Sequence, residues 1–388
     1  IYTLLKNRYK MSVFVGTLSE KEREIQKDKF INTFGCCRKV YNLMLSDKID
    51  SYNKTGKFAM VTPAMYKKDY PFLKDVDSLA LANAQLNLQA AFANCFSKTR
   101  KKKTGFPKFK SAKHCRKSYT TNNQNGTVAI VDNKWIKLPK TGKVKAIIHR
   151  IPDPDWKIKS VTISQESDNS FYASVLFEYE QKVITVPLSD NVIGLDYASD
   201  GLYVDDKGNV GTNHKYYRES HKKLAKAQRR LSRKIGSGKN EQKSNNYIKQ
   251  LRKVNKIHRH IVNQRLDNLH KISTEIANQY DIVCVETLNM RAMSNKGFGN
   301  GKATLDNGYG LFLAMLEYKL AERGKYFIKV DKWYPSSQIC HCCGARHPEM
   351  KNLNIRTMKC SCGLAIGRDQ NAAINIKKEG LRLLRSAA

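Results

Sequence analysis

A chain of 388 residues is too long for one ordinary core and implies roughly two to four modules. Its 70 lysines and arginines against 34 acidic residues give a formal net charge of +36. That excess excludes a single small ligand as the counterpart and calls for a polyanion; nucleic acid is the expected partner, a merely solubilising basic face the alternative.

In chain order, the opening IYTLLKNRYKMSVFVG holds no signal-peptide core, and no apolar run approaches the ~18 residues of a membrane span, so no membrane association is expected. MSVFVGTL, residues 11–18, reads as a strand. A serine cap then opens a helix with apolar positions at Ile25, Phe30, Phe34, Val40, Tyr41 and Leu45. A second helix, SLALANAQLNLQAAFANCFSKTR, is expected to be capped by Ser78, which makes residues 21–98 a helical lobe.

Residues 98–121, KTRKKKTGFPKFKSAKHCRKSYTT, read as a basic loop in which Phe106, Phe109 and Tyr119 are set among cations. Lys101, Lys102, Lys103, Lys108 and Lys110 suit phosphates while the rings suit stacking; a plain basic linker is the alternative. From 126 to 184 come GTVAIVD, WIKLP, KVKAIIHRI, SVTISQES and FYASVLFEYE, short strands of a small β-barrel or sandwich spanning 99–187. The opening strand, within residues 1–20, would otherwise be a lone edge, so it is expected to join that sheet with the helical lobe inserted.

NVIGLDYASDGLYVDDKGNVG starts a new section, 188–335, with Asp196 at the end of a strand-like run. Residues 214–280 are basic and helical, broken at GSGKNEQ, and read as an antiparallel hairpin. Arg229, Arg230, Arg233, Lys234, Arg252, Lys253 and Arg259 are its candidate phosphate contacts, each equally at home on a solvated face. YDIVCVETLNM is a buried strand ending in Glu286, SNKGFGNGKA a glycine-rich loop, LDNGYGLFLAMLEYKLAERGKY a helix and FIKVD a strand.

Ten cysteines divide into five scattered ones and five clustered at 340, 342, 343, 360 and 362, a usage that fits a reducing, cytoplasmic setting. Cys340 and Cys343 form C-x-x-C; Cys360 and Cys362 form C-x-C after residues 344–359, and four thiolates in two close pairs make a tetrahedral zinc site. Cys342, His341 and His347 compete as ligands, although adjacent Cys342 and Cys343 do not easily reach one ion. The ribbon, 336–363, precedes a final segment, 364–388, in which Asp369 opens a helix only seven residues after Cys362. Zinc at the ribbon would therefore hold that aspartate in place.

Asp196 and Glu286 close apolar runs and Asp369 opens a helix, so a sheet edge can present all three. Three such carboxylates cannot all ionise without cations, and two magnesium ions would answer the repulsion and serve phosphodiester hydrolysis. The alternative is that each acid merely caps its element.

GLDYASDGLYVDDKG, DIVCVETLNM and GRDQNAAINI resemble the three split motifs of the RuvC nuclease domain in TnpB proteins, RNA-guided nucleases of insertion sequences ancestral to type V CRISPR effectors. TFGCCRKVYN and GFPKFKS resemble the N-terminal half of that family, so the likeness covers nearly the whole chain. The resemblance implies an α/β, RNase H-like RuvC domain with an inserted zinc ribbon, and an N-terminal wedge β-barrel carrying the helical recognition lobe. It carries catalysis onto Asp196, Glu286 and Asp369, all intact, and a phosphate-positioning role onto Arg368. The implied partners are a transposon-end-derived guide RNA, target DNA and their heteroduplex, with a protein monomer on the RNA. Related readings are a miniature type V effector with array-derived guides and a cleavage-inactive RNA-guided repressor. The second cysteine pair departs from the more usual C-x-x-C of the family.

Overall fold

The computed structural model describes residues 2–13, 19–97, 104–149, 151–235, 243–293 and 306–387. They divide into two compact units, Tyr2–Gln181 and Lys182–Ala388. Lys101, Lys102 and Lys103, the break GSGKNEQ and the loop SNKGFGNGKA lie outside the described residues.

The N-terminal unit is built on a seven-stranded sheet. Its strands are β1 (Tyr2–Val13), β2 (Ser118–Asn122), β3 (Ala129–Val131), β4 (Trp135–Leu138), β5 (Gly142–Ile147), β6 (Lys157–Gln165) and β7 (Phe171–Lys182), in the order β2-β6-β7-β1-β5-β4-β3. The first strand starts nine residues earlier than its apolar alternation suggests and lies inside the sheet, pairing Ser12 with Ile147. Asp132 and Asn133 both take left-handed conformations at the β3–β4 turn, a geometry that short polar side chains tolerate.

Helix α1 (Glu20–Thr55) begins with a capping box in which Ser19 and Glu22 satisfy each other's backbone, and ends on Gly56 at φ 70°. Helix α2 (Ser78–Phe96) is capped one residue earlier than expected: Asp77, not Ser78, accepts from the Leu79 N–H at 3.1 Å. A carboxylate is as good an acceptor there as a hydroxyl.

The basic loop is shorter than its composition suggests. Ser118–Asn122 is a strand, and Tyr119 is buried among Phe30 and Phe34 of α1, ring centroids 6.2 and 5.8 Å away. Tyr119 is therefore core rather than a stacking platform. Alternation alone would have placed it inward; the surrounding charge masked the pattern.

The C-terminal unit holds a four-stranded sheet of β8 (Val192–Tyr197), β9 (Tyr203–Asp205), β10 (Ile282–Glu286) and β11 (Tyr326–Val330), ordered β11-β10-β8-β9. β10 runs parallel to both β8 and β11, and β9 is antiparallel to β8. Both faces are covered, which is why the central strands β8 and β10 are apolar up to the acids at their ends. Ile193, Leu195, Val283 and Val285 pack with Leu269, Ile276, Phe312 and Leu316 of α4 (Asn245–Gln279) and α5 (Tyr309–Glu322). Val192, Ile282 and Cys284 pack with Ile376 of α6 (Arg368–Ala387) on the other face.

Between β9 and β10, α3 (Tyr216–Ser232) and α4 pair antiparallel through Leu224, Ala227 and Val254, with Gln250 donating to the Ala227 carbonyl at 3.0 Å. Strands β12 (Thr357–Lys359) and β13 (Ala365–Gly367) form a small hairpin that runs directly into α6. Among the described residues, no helix is long and apolar enough to cross a membrane.

Candidate active site and metal site

Parallel register sets the first two acids side by side. Val192, Ile193, Gly194 and Leu195 of β8 face Ile282, Val283, Cys284 and Val285 of β10, so Asp196 and Glu286 occupy the next matched positions at the same strand ends. Their place in the alternation puts them on the face of Gly194 and Cys284, the face that α6 covers. Asp369 stands in the first turn of that helix.

Two glycines let the helix lie close. A β-carbon on Gly194 would meet the Ala373 carbonyl oxygen at 2.2 Å, and one on Gly380 would meet Cys284 Sγ at 2.3 Å. Asp206 adds a tie, pairing with Lys377 Nζ at 2.8 Å and accepting from the Gly194 N–H at 3.2 Å.

Electrostatics register the convergence. Burial, then the charges of Glu286 and Asp369, push the Asp196 carboxyl well above the usual carboxylate range, while the Tyr197 N–H and Arg368 pull the other way. Burial pushes Glu286 up to about 7. Acids that resist ionisation for want of positive charge fit the donor chemistry of a divalent-cation site. Arg368 also donates to the Asn352 carbonyl at 3.3 Å.

The other site is formed by the ribbon. The Sγ atoms of Cys340, Cys343, Cys360 and Cys362 all lie within 4.8 Å of one another, a group that can hold a metal ion. Gly344 and Gly363, at φ 79° and 90°, let each knuckle turn back. Cys342 is exposed and outside the group. Of the histidines that the sequence offers as competing ligands, His341 Nδ1 lies 3.0 Å from Asn371 Oδ1, while His347, with Nδ1 2.9 Å from Glu349, also bonds Cys360 and so stands beside the sulfur group without being one of its four donors.

The basic residues separate. Arg229, Arg230, Arg233, Lys234, Arg252 and Lys253 are exposed on α3, α4 and the turn after α3, whereas Arg259 is half-buried. Lys108 is exposed, but Lys110 is half-buried with its ammonium 3.7 Å from the Tyr41 ring centroid, and its backbone bonds Asn42 in both directions. Lys110 is thus held by the helical lobe.

Sequence reasoning missed four residues around the acids. Asn371 and Asn375, one helical turn apart, are buried and bond the ribbon; Asn307 donates to the Ala198 carbonyl at 2.9 Å, just beyond Asp196; Asp306 accepts from the Tyr217 N–H at 3.1 Å and caps α3. The available signal was two amides on the buried face of GRDQNAAINI, where an apolar helix face would otherwise be expected.

Known proteins resemble the chain over most of its length. Residues 174–297 match the OrfB_IS605 family, described as "Probable transposase"; 24–57 match its "Helix-turn-helix domain", although they lie almost wholly within the single helix α1; 309–376 match "Cas12f1-like, TNB domain". A Streptomyces pristinaespiralis protein named "Putative RNA-guided DNA endonuclease" is 32% identical over 364 residues, covering 92% of this chain and 86% of its own. The Escherichia coli K12 protein of the same description, InsQ, is 28% identical over 372 residues, with 90% and 88% covered. In fold, the chain is similar to the protein in the cryo-EM structure of the Cas12f1-sgRNA-target DNA complex, at a TM-score of 0.58 and 13% identity, over 96% of this chain and 99% of that one.

Proposed function

Because the chain belongs to the TnpB family, we propose that it is an RNA-guided DNA endonuclease of an insertion sequence, with Asp196, Glu286 and Asp369 as the acids of one RuvC-type site. The observation that carries this reading is the convergence of three carboxylates from separate segments, two of them shifted upward in pKa by burial. Magnesium, when bound as a pair of ions, supplies the charge that activates a water and stabilises the leaving oxygen of a phosphodiester. The three carboxylates would hold the ions, and Arg368 at the start of α6 would orient the scissile phosphate. Zinc in the four-cysteine group is structural.

Pairing with guide RNA reads the target sequence, while the protein supplies backbone affinity and reads a short adjacent motif. The sheet of the N-terminal unit serves as a wedge barrel and α1 and α2 as the recognition lobe. Exposed cations of α3 and α4 run along the heteroduplex. The test is to purify the protein with its native flanking DNA, sequence the copurified RNA and assay cleavage of matching plasmid with magnesium. A discrete RNA ending at the transposon boundary, with cutting lost in Asp196→Ala, supports the proposal. Array-derived RNA points to a miniature type V effector, and bound RNA without cutting points to a repressor.

A further inference from the structure

Asn371 and Asn375 are 0% and 2% exposed, on the face of α6 that follows directly from Asp369. Their bonds all go to one segment of the ribbon. Asn371 Nδ2 donates to the Ile339 carbonyl at 2.7 Å, and Asn371 Oδ1 accepts from the His341 N–H at 3.1 Å. Asn375 Nδ2 donates to the Ser336 and Ile339 carbonyls at 2.8 and 2.6 Å. Ile339 and His341 flank Cys340, whose Sγ lies 3.7 Å from that of Cys362.

The start of α6 is therefore gripped twice. The second knuckle leads into it through β13, with the Arg368 N–H bonded to the Arg356 carbonyl at 2.8 Å. The first knuckle reaches it only sideways, and the two amides lead in that contact. A metal shared by four sulfurs fixes the knuckles to each other, so it closes a loop of constraints that contains Asp369. Without it, the knuckles keep weak contacts between thiols and the apolar packing of Cys340, Met350 and Met358 with Leu364 and Ile366, which fix the four sulfurs to one another less tightly than a shared ion does.

We propose that Asn371 and Asn375 are positioning residues that couple the four-cysteine site to Asp369, so that metal at the ribbon raises the affinity of the three carboxylates for divalent cations. The proposal rests on the nuclease reading of those carboxylates. Coupling of this kind is reciprocal: cation at the acids must raise the affinity of the ribbon for its metal by a matching free energy. Replacing either amide by leucine keeps the volume but strands buried carbonyls, so the ribbon retains its own sulfur cage while its grip on α6 loosens.

The test uses the full chain with cobalt(II) in the ribbon, whose thiolate bands report occupancy. Manganese binding is followed by the paramagnetic signal of the free ion before and after cobalt is removed by a chelator. In the unmodified protein, removal should weaken manganese binding about five-fold, and saturating manganese should raise the affinity of the ribbon for cobalt, titrated against the chelator, by a similar factor. Asn371→Leu and Asn375→Leu should retain the cobalt spectrum and lose both effects. Manganese affinity indifferent to ribbon metal in the unmodified protein overturns the proposal, a result that needs no variant to fold. Coupling that persists undiminished in both variants also overturns it. Manganese binding insensitive to Asp196→Asn would overturn the nuclease reading, and this proposal with it.

Discussion

Gly194 of β8 lies so close beneath Ala373 of α6 that a β-carbon on the glycine would stand 2.2 Å from the Ala373 carbonyl oxygen. The obstacle is helix backbone, which cannot swing aside as a side chain would. Gly194→Ala must therefore lift the helix from the strand, at a cost of about 3 kcal/mol. It separates Asp369 from Asp196 as it does so, and a misplacement of about 1 Å costs on the order of 100-fold in rate. Chemical denaturation and single-turnover cleavage read the two effects. Gly35 of α1 is the control, since a β-carbon there meets nothing within 4 Å. Gly35→Ala should stabilise by about 0.5–1 kcal/mol and leave cleavage unchanged.

The acids give a pH dependence of definite sign. Burial raises Glu286 from 4.5 to about 7, so the folded, cation-free protein holds a proton that the unfolded chain releases. Stability from this group is complete below about pH 4.5 and is lost as pH rises through about 7, with a ceiling of about 3 kcal/mol. Asp196, also raised, acts in the same direction. Glu286→Gln should therefore gain stability relative to the unmodified protein between pH 5 and 7.5 without divalent cations, measured by thermal melts across that range. Magnesium should erase most of the gain, because cation binding removes the proton. Equal pH slopes in the two proteins would refute the assignment.

How much of this was legible in the sequence depended on whether a residue acts through its neighbours along the chain or across space. Helix α1, its Ser19 cap and the α3–α4 hairpin follow from local periodicity and turn chemistry, and the apolar runs before Asp196 and Glu286 announce strands covered on both faces. The register that matches those two acids is a long-range pairing that alternation does not specify. Asn371 and Asn375 looked like ordinary polar residues of an amphipathic helix because their partners at 336–341 lie 30 to 39 residues away. Tyr119 was obscured differently: local charge suggested stacking on nucleic acid, and its burial against α1 makes it core, while Lys110 lies over the Tyr41 ring.

Tyr309 is wholly buried in the C-terminal core, and its hydroxyl has no hydrogen-bond partner among the described residues. Its ring packs edge-on against Tyr197 at 5.1 Å and against Phe312 at 5.9 Å, contacts that phenylalanine preserves. A desolvated hydroxyl without a partner costs about 1–3 kcal/mol. Tyr309→Phe should therefore raise the urea midpoint of the cation-free protein at an unchanged slope, a stability gain of about 1 kcal/mol. A loss of that size would show that the hydroxyl is bonded after all.

The exposed cations and Lys110 should separate in a salt titration. Each phosphate contact on duplex contributes about 0.9 to the slope of log affinity against log salt, through release of condensed counterions. Arg229, Arg230 and Lys253 project from the α3–α4 hairpin into solvent. Replacing all three by alanine should flatten the slope for guide–target heteroduplex by about 2 to 3, while stability changes by less than about 0.5 kcal/mol. Lys110 holds its ammonium over the Tyr41 ring, and burial lowers its pKa. Lys110→Ala should leave the slope unchanged and cost about 1 kcal/mol of stability through the lost cation–π contact and the packing of its stem. The readout is affinity at several salt concentrations beside a denaturation curve for each variant. A triple variant with an unaltered slope would mean that the hairpin faces solvent in the complex, and the heteroduplex path proposed along it would have to move.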